Sequence, residues 1–203
     1  MAAPFIARPT VATMRVTDFD IAGSPATGDL TQVTAPLTSV LTAELDEAQR
    51  SLGLAAEEIL LAAFGRTIAR TIGDGVLSVD FTDSTHAASP LTLKCATAQE
   101  SSADEMLAAV HLELSAAPSV GMTQPAEVLI SYHGPAAGDR ALEIHIYRDN
   151  DVVQLDWHYD SRQFASYTVQ ELTEQFPLAL IELTSEATPV LLEAGLIVAG
   201  VDD

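Results

Sequence analysis

The sequence predicts an α/β domain in which a mixed β-sheet is packed with helices on at least one face. Two observations carry this reading. Segments with a 3.6-residue apolar period alternate with short β-branched runs, and three such runs follow one another late in the chain. The 203 residues are 48% hydrophobic, enough for one domain to bury its own core without a staple.

Val11 to Ile21 alternates in polarity and is read as a strand, followed by a Gly-, Ser- and Pro-rich loop from Gly23 to Thr31. A helix is expected from about Thr38 to Leu52, stopped by Gly53 as its C-cap. A second starts near Ala55 with Glu57 and Glu58 in its first turn, where the helix dipole favours carboxylates. Its Leu60, Leu61, Phe64, Ile68 and Ile72 keep helical spacing up to Gly73. Val76–Phe81 and Leu91–Ala96 read as strands. Ser102 is the expected N-cap of a helix running to Leu114, with Met106, Val110 and Leu114 on one stripe. Strands over Glu127–Tyr132, Ala141–Arg148 and Val152–Tyr159 come next. A last helix spans about Thr168 to Thr184, and Pro177 inside it should kink or divide it.

The late hairpin can be read residue by residue. Leu142, Ile144 and Ile146 share one face of its first strand; Val153, Leu155, Trp157 and Tyr159 share one face of its second. Both sets must reach the same core, which a turn centred on Asn150-Asp151 allows by pairing Asp149 with Val152. His145 then faces Asp156, and Glu143 faces His158, whereas a turn centred one residue earlier keeps the faces and shifts these pairs. With Asp160 these form a polar face. It is read as a solvated sheet surface with cross-strand ion pairs, the sharper alternative being a divalent-metal site. No metal or other cofactor is predicted.

Composition excludes several function classes. With 29 acidic and 9 basic residues and a net charge of −20, the chain lacks the basic excess that attracts nucleic acid or anionic membranes. Cys95 is the single cysteine and sits in an apolar run, so it is expected as a buried structural thiol. No signal peptide and no run of about 18 uninterrupted apolar residues is visible, so a cytoplasmic location is expected. No G-x-G-x-x-G after a strand, P-loop, H-E-x-x-H or acidic calcium loop occurs. Ser131 and His133 lie at i, i+2 without a nucleophile elbow around the serine. His86 falls in a polar loop and His111 within a helix.

Three segments, in order, resemble a known family. Residues 54–81, LAAEEILLAAFGRTIARTIGDGVLSVDF, resemble the helix and strand that open the C-terminal half of condensation and epimerization domains of nonribosomal peptide synthetases. Residues 127–134, EVLISYHG, are similar to that family's VLFNYLG strand, with Ile130, Ser131 and His133 departing from Phe, Asn and Leu. Residues 155–183, LDWHYDSRQFASYTVQELTEQFPLALIEL, are similar to its closing L-x-W-x-Y segment and helix. The resemblance covers about residues 35 to 185 and implies a chloramphenicol-acetyltransferase-like half-domain. It divides the chain into an N-terminal strand and loop at 1–31, the half-domain at 32–186, and an apolar tail at 187–203.

The family's H-H-x-x-x-D-G motif belongs to the other half and occurs nowhere in these 203 residues, and Asp83-STHAASP replaces an E-G-H-G-R segment. No family catalytic residue therefore carries over. The resemblance implies an accessory or interaction protein of peptide, polyketide or lipid assembly. Two alternatives are an acyltransferase with a channel formed by self-association, its base chosen among His133, His145 and His158, and an acyl-binding module using Tyr132 and Trp157. A lone half should expose apolar area, expected to be covered by a homodimer, by a synthetase or acyltransferase partner, or by residues 1–31 and 189–201.

Overall fold

The computed structural model describes residues 13–23, 25–84, 88–116, 126–133 and 140–189. After a 3-10 turn at Thr27–Asp29, the elements in chain order are β1 (Leu30–Thr34), α1 (Ser39–Leu52), α2 (Ala56–Thr71), β2 (Gly75–Asp83), β3 (Ser89–Cys95), α3 (Ala103–Ser115), β4 (Val128–Tyr132), β5 (Leu142–Asp149), β6 (Val152–Asp160) and α4 (Ser166–Glu186). The strands form one sheet in the order β1-β6-β5-β4-β2-β3. The β2–β4 and β4–β5 pairs are parallel and the other three antiparallel, so the sheet is mixed, as predicted.

The helices start and stop where their termini are satisfied. Thr38 accepts the Leu41 N–H at 3.1 Å to cap α1, and Gly53 ends it in the left-handed region at φ 68°. Glu58 accepts the Ala55 N–H at 2.5 Å at the start of α2. Ser102 and Glu105 cap α3 reciprocally, at 3.3 Å and 3.0 Å. Pro177 does not divide the last helix, since α4 runs unbroken from Ser166 to Glu186. Only one backbone donor is lost there, and the surrounding Leu172, Phe176, Ala179, Leu180 and Leu183 remain buried against the core.

Two readings of the N-terminal region are corrected. Residues 13–21 are not a strand: Met14 makes a single ladder-like bond to the Val76 carbonyl, and beyond it the segment serves other elements. Asp18 leaves it to cap α4, accepting from Ala165 N at 2.8 Å and Thr168 Oγ1 at 3.1 Å. The strand lies instead at Leu30–Thr34, overlapping the expected loop. Four of its five residues are exposed, so it carries almost no apolar alternation to read.

Apolar residues of one sheet face, from Leu77, Val79 and Phe81 to Val153, Leu155 and Trp157, join those of all four helices in one core. The helices therefore form a single layer on that face. Gly65 lets α2 approach β3 closely; a Cβ there would meet the Lys94 carbonyl oxygen at 2.4 Å. Arg66 is wholly buried in the same layer and donates to the carbonyls of Ala96 at 2.5 Å and Ser101 at 2.8 Å. Cys95 is buried as expected, and burial pushes its thiol up to about 12. No described helix is long and apolar enough to cross a membrane.

Candidate functional site

The hairpin turns at Asn150 and Asp151, both with positive φ (48° and 63°), the pattern of a type I′ turn. Asp149 pairs with Val152, and the register puts His145 opposite Asp156 and Glu143 opposite His158, as expected. The register continues into neighbouring strands. One row across the face opposite the described helices reads Thr82, Ser131, His145, Asp156 and Thr34; the next reads Asp80, Leu129, Glu143, His158 and Gln32.

The histidines of this face are held by specific contacts. The imidazoles of His145 and His158 face each other with centroids 4.8 Å apart, and His145 Nε2 lies 3.2 Å from Glu143 Oε2. Burial, then the neighbouring His145, holds His158 below its ordinary value. Asp156 is partly buried, which opposes its ionisation. Hydrogen bonds from Thr34 (Oγ1, 2.6 Å), Tyr147 (hydroxyl, 3.0 Å) and Gln32 nevertheless bring its carboxyl below the usual range. The Asp160 carboxyl drops to about 2, chiefly through hydrogen bonds from Arg162 at 2.7 and 3.0 Å, then one from Gln163.

The expected solvated surface is thus buried in part: Glu143 and Asp160 are buried, while His145, Asp156 and His158 keep partial exposure. Glu143 is 2% exposed, Ser131 and Asp160 are fully buried, and Asp80 and Thr82 are buried beside them. The Arg140 guanidinium donates to Asp80 Oδ2 at 2.9 and 3.1 Å, while its backbone N–H donates to Glu143 Oε1 at 3.2 Å. One residue therefore ties β2 to β5 across the intervening β4. An acid inside the mainly apolar VLSVDF strand was the available signal for this clasp; its partner, 60 residues on, was not legible. Among the described residues no group of three or more His, Cys, Asp or Glu side chains is arranged to hold a metal ion.

The other nominated residues lie apart from this face. Tyr132 and Trp157 point to the helix side. Trp157 is fully buried between Phe64 and Phe176, with ring centroids at 6.2 and 6.0 Å. Tyr132 is half-buried near Arg148, which also bonds Asp46 of α1 at 3.3 Å; burial, then Glu57, raises its hydroxyl. His133 ends β4 with φ 55° and an N–H bond to the Ile146 carbonyl at 2.8 Å. Its exposed ring packs edge-on against Tyr132 at 4.6 Å, away from Ser131, whose buried Oγ has no hydrogen-bond partner among the described residues. His111 Nδ1 sits 2.6 Å from Glu58 Oε1 and joins α3 to α2. His86 and the apolar residues 190–201 lie outside the described residues. The structure therefore brings His145 and His158 together and leaves His133, Tyr132 and Trp157 elsewhere.

No family model matches the sequence. Among curated proteins, a phenolphthiocerol/phthiocerol polyketide synthase subunit of Mycobacterium tuberculosis is 27% identical over 224 residues. That alignment covers 80% of this chain and only 15% of the relative. Among solved structures, the epimerization domain from the third module of tyrocidine synthetase B superposes with a TM-score of 0.65 at 12% identity, over 87% of this chain and 53% of that one. The wax ester synthase/diacylglycerol acyltransferase from Marinobacter aquaeolei gives 0.59 at 14% identity, over 83% and 50%. A condensation domain of the enacyloxin polyketide synthase, solved for its role in chain release, gives 0.58 at 12% identity, over 82% and 43%. In each of these three structures the chain spans about half the length, so it has the fold of a condensation- and epimerization-type domain at the extent of one half.

Proposed function

We propose that this half-domain is an accessory or interaction protein of a peptide, polyketide or lipid assembly system rather than an acyltransferase. The observation that supports this reading most is where its histidines stand. His111 and His145 lie within hydrogen-bond distance of Glu58 and Glu143, His158 packs tilted against His145, and exposed His133 packs on Tyr132. Ser131 neighbours His145 in the register, yet no hydrogen bond joins its Oγ to that ring. A nucleophile needs such a bond to its base, and a general base must reach the proton it removes. The absence of an H-H-x-x-x-D-G motif from these residues and the similarity to a polyketide synthase subunit support the same reading. The partner in this reading is a synthetase or polyketide synthase protein, met in the cytoplasm.

The test is the solution mass of the chain mixed with a purified synthetase or polyketide synthase module from the same source. A complex heavier than the module by a whole number of chains is the expected result. Masses of the separate components at micromolar concentrations, where functional assembly contacts persist, would overturn the interaction reading.

A further inference from the structure

The two edges of the sheet are treated differently by the sequence. The β3 edge is guarded: Pro90 lies in the strand, Lys94 is exposed, and the outward Thr92 N–H is taken by Glu113 of α3 at 2.8 Å. Such devices stop a strand from pairing with another chain. Among the described residues the β1 edge has none of them. Its residues, Leu30-Thr31-Gln32-Val33-Thr34, include no charge and no proline, and all but Val33 are exposed.

The backbone geometry shows which groups are offered. Ser161 N bonds to the Asp29 carbonyl at 2.8 Å, Ala35 N to Leu155 at 2.9 Å and Leu37 N to Val153 at 3.0 Å. Odd-numbered positions therefore face β6, and antiparallel alternation turns the N–H and C=O of Leu30, Gln32 and Thr34 toward the open edge. Exposed Phe19 and Ile21 lie in a segment anchored to Gln163 and Arg162, the connection to which Asp29 also bonds. With Leu30 they supply exposed apolar surface around the start of that edge.

We infer that β1 is a self-pairing edge, at which a second copy of this chain adds its own β1 antiparallel and joins two sheets into one. The occupant follows from the strand's own symmetry. With a two-fold axis at Gln32, Leu30 meets Thr34 of the partner subunit and Gln32 meets Gln32 of the partner subunit. Each outward donor then finds an acceptor, in three mutually bonded pairs. No like charges are opposed within the strand, and the nearest carboxylates are engaged: Asp29 with Arg162, Asp156 with Thr34 and Tyr147. A second copy is also the size of the half that the solved relatives carry beyond the aligned region. This surface is independent of the accessory reading, since either an enzyme or an interaction protein can use it.

Each copy carries −20, so long-range repulsion opposes the pairing and salt should relieve it. Sedimentation velocity of the full chain across concentrations, at low and high salt, tests both points. A monomer–dimer equilibrium that tightens as salt rises is the expected result. Gln32→Pro removes the central outward donor while leaving the β6 bonds, and Gln32→Lys places like charges on the axis without touching the backbone. Gln32→Lys should weaken dimerisation about tenfold or more at unchanged circular dichroism. A parent chain that is monomeric throughout, or a dimer that survives folded Gln32→Lys unchanged, would overturn the proposal.

Discussion

Replacing Arg66 by alanine is expected to destabilise the fold by about 3–5 kcal/mol, measured by chemical denaturation. Arg66 has no exposed surface. Two of its nitrogens donate to the Ala96 and Ser101 carbonyls in the connection between β3 and α3. Its Nε lies 3.0 Å from Glu182 Oε1 on α4, an ionic contact too poorly aligned to count as a hydrogen bond. Glu182 is also engaged by Arg70, so two arginines of α2 share one carboxylate. The cost of the substitution is the carbonyls and carboxylate left behind in a dry layer, more than the lost attraction itself. Burial lowers the guanidinium's basicity, and the neighbouring Glu182 carboxylate opposes that shift. Arg66→Lys supplies a point charge in place of a planar fork and should recover only part of the loss. A cost below about 1 kcal/mol for Arg66→Ala would show that the layer does not depend on this tie.

Trp157→Ala is expected to cost a similar amount, about 3–5 kcal/mol, because it removes the largest fully buried side chain from between α2 and α4. Its contacts with Phe64 and with Phe176, edge-on, would both be lost. Trp157→Phe should be milder. The indole N–H has no hydrogen-bond acceptor among the described residues, so no bond is given up and only part of the volume goes. Denaturation followed by far-UV circular dichroism separates the two roles proposed for this residue. A large loss of stability marks it as core. Unchanged stability with loss of a bound acyl ligand would restore it to a binding pocket.

Much of this fold was legible because its strongest signals are local. The α2 stripe, the Ser102 N-cap and the alternating hairpin each announce themselves within a dozen residues. The hairpin's inward face also followed, since a one-residue slip would have turned Leu142, Ile144 and Ile146 away from the core; of the two turn positions that keep this face, the structure adopts the one at Asn150-Asp151. What failed was non-local or nearly apolar-free. β1 is a strand because β6 offers it a ladder, and Leu-Thr-Gln-Val-Thr alone does not say so. The polar face was recognised in its membership and mistaken in its setting. Alternation placed Glu143, His145 and His158 together, while the burial of Glu143 accompanies long-range ties that no local pattern announces, such as Arg140 to Asp80. Arg66 was passed over for the same reason: its partners on the β3–α3 connection and on α4 lie far along the chain.

Whether this half-domain's histidines serve structure and not acyl transfer is tested most directly by thioester turnover. Short-chain acyl N-acetylcysteamine thioesters, offered with an amine or alcohol acceptor, would be followed by release of free thiol. The expected result is a rate no faster than buffer for the parent chain, and no change in His133→Ala, His145→Ala or His158→Ala. Turnover by the parent that disappears in folded His133→Ala or His158→Ala would contradict the structural role and establish an acyltransferase.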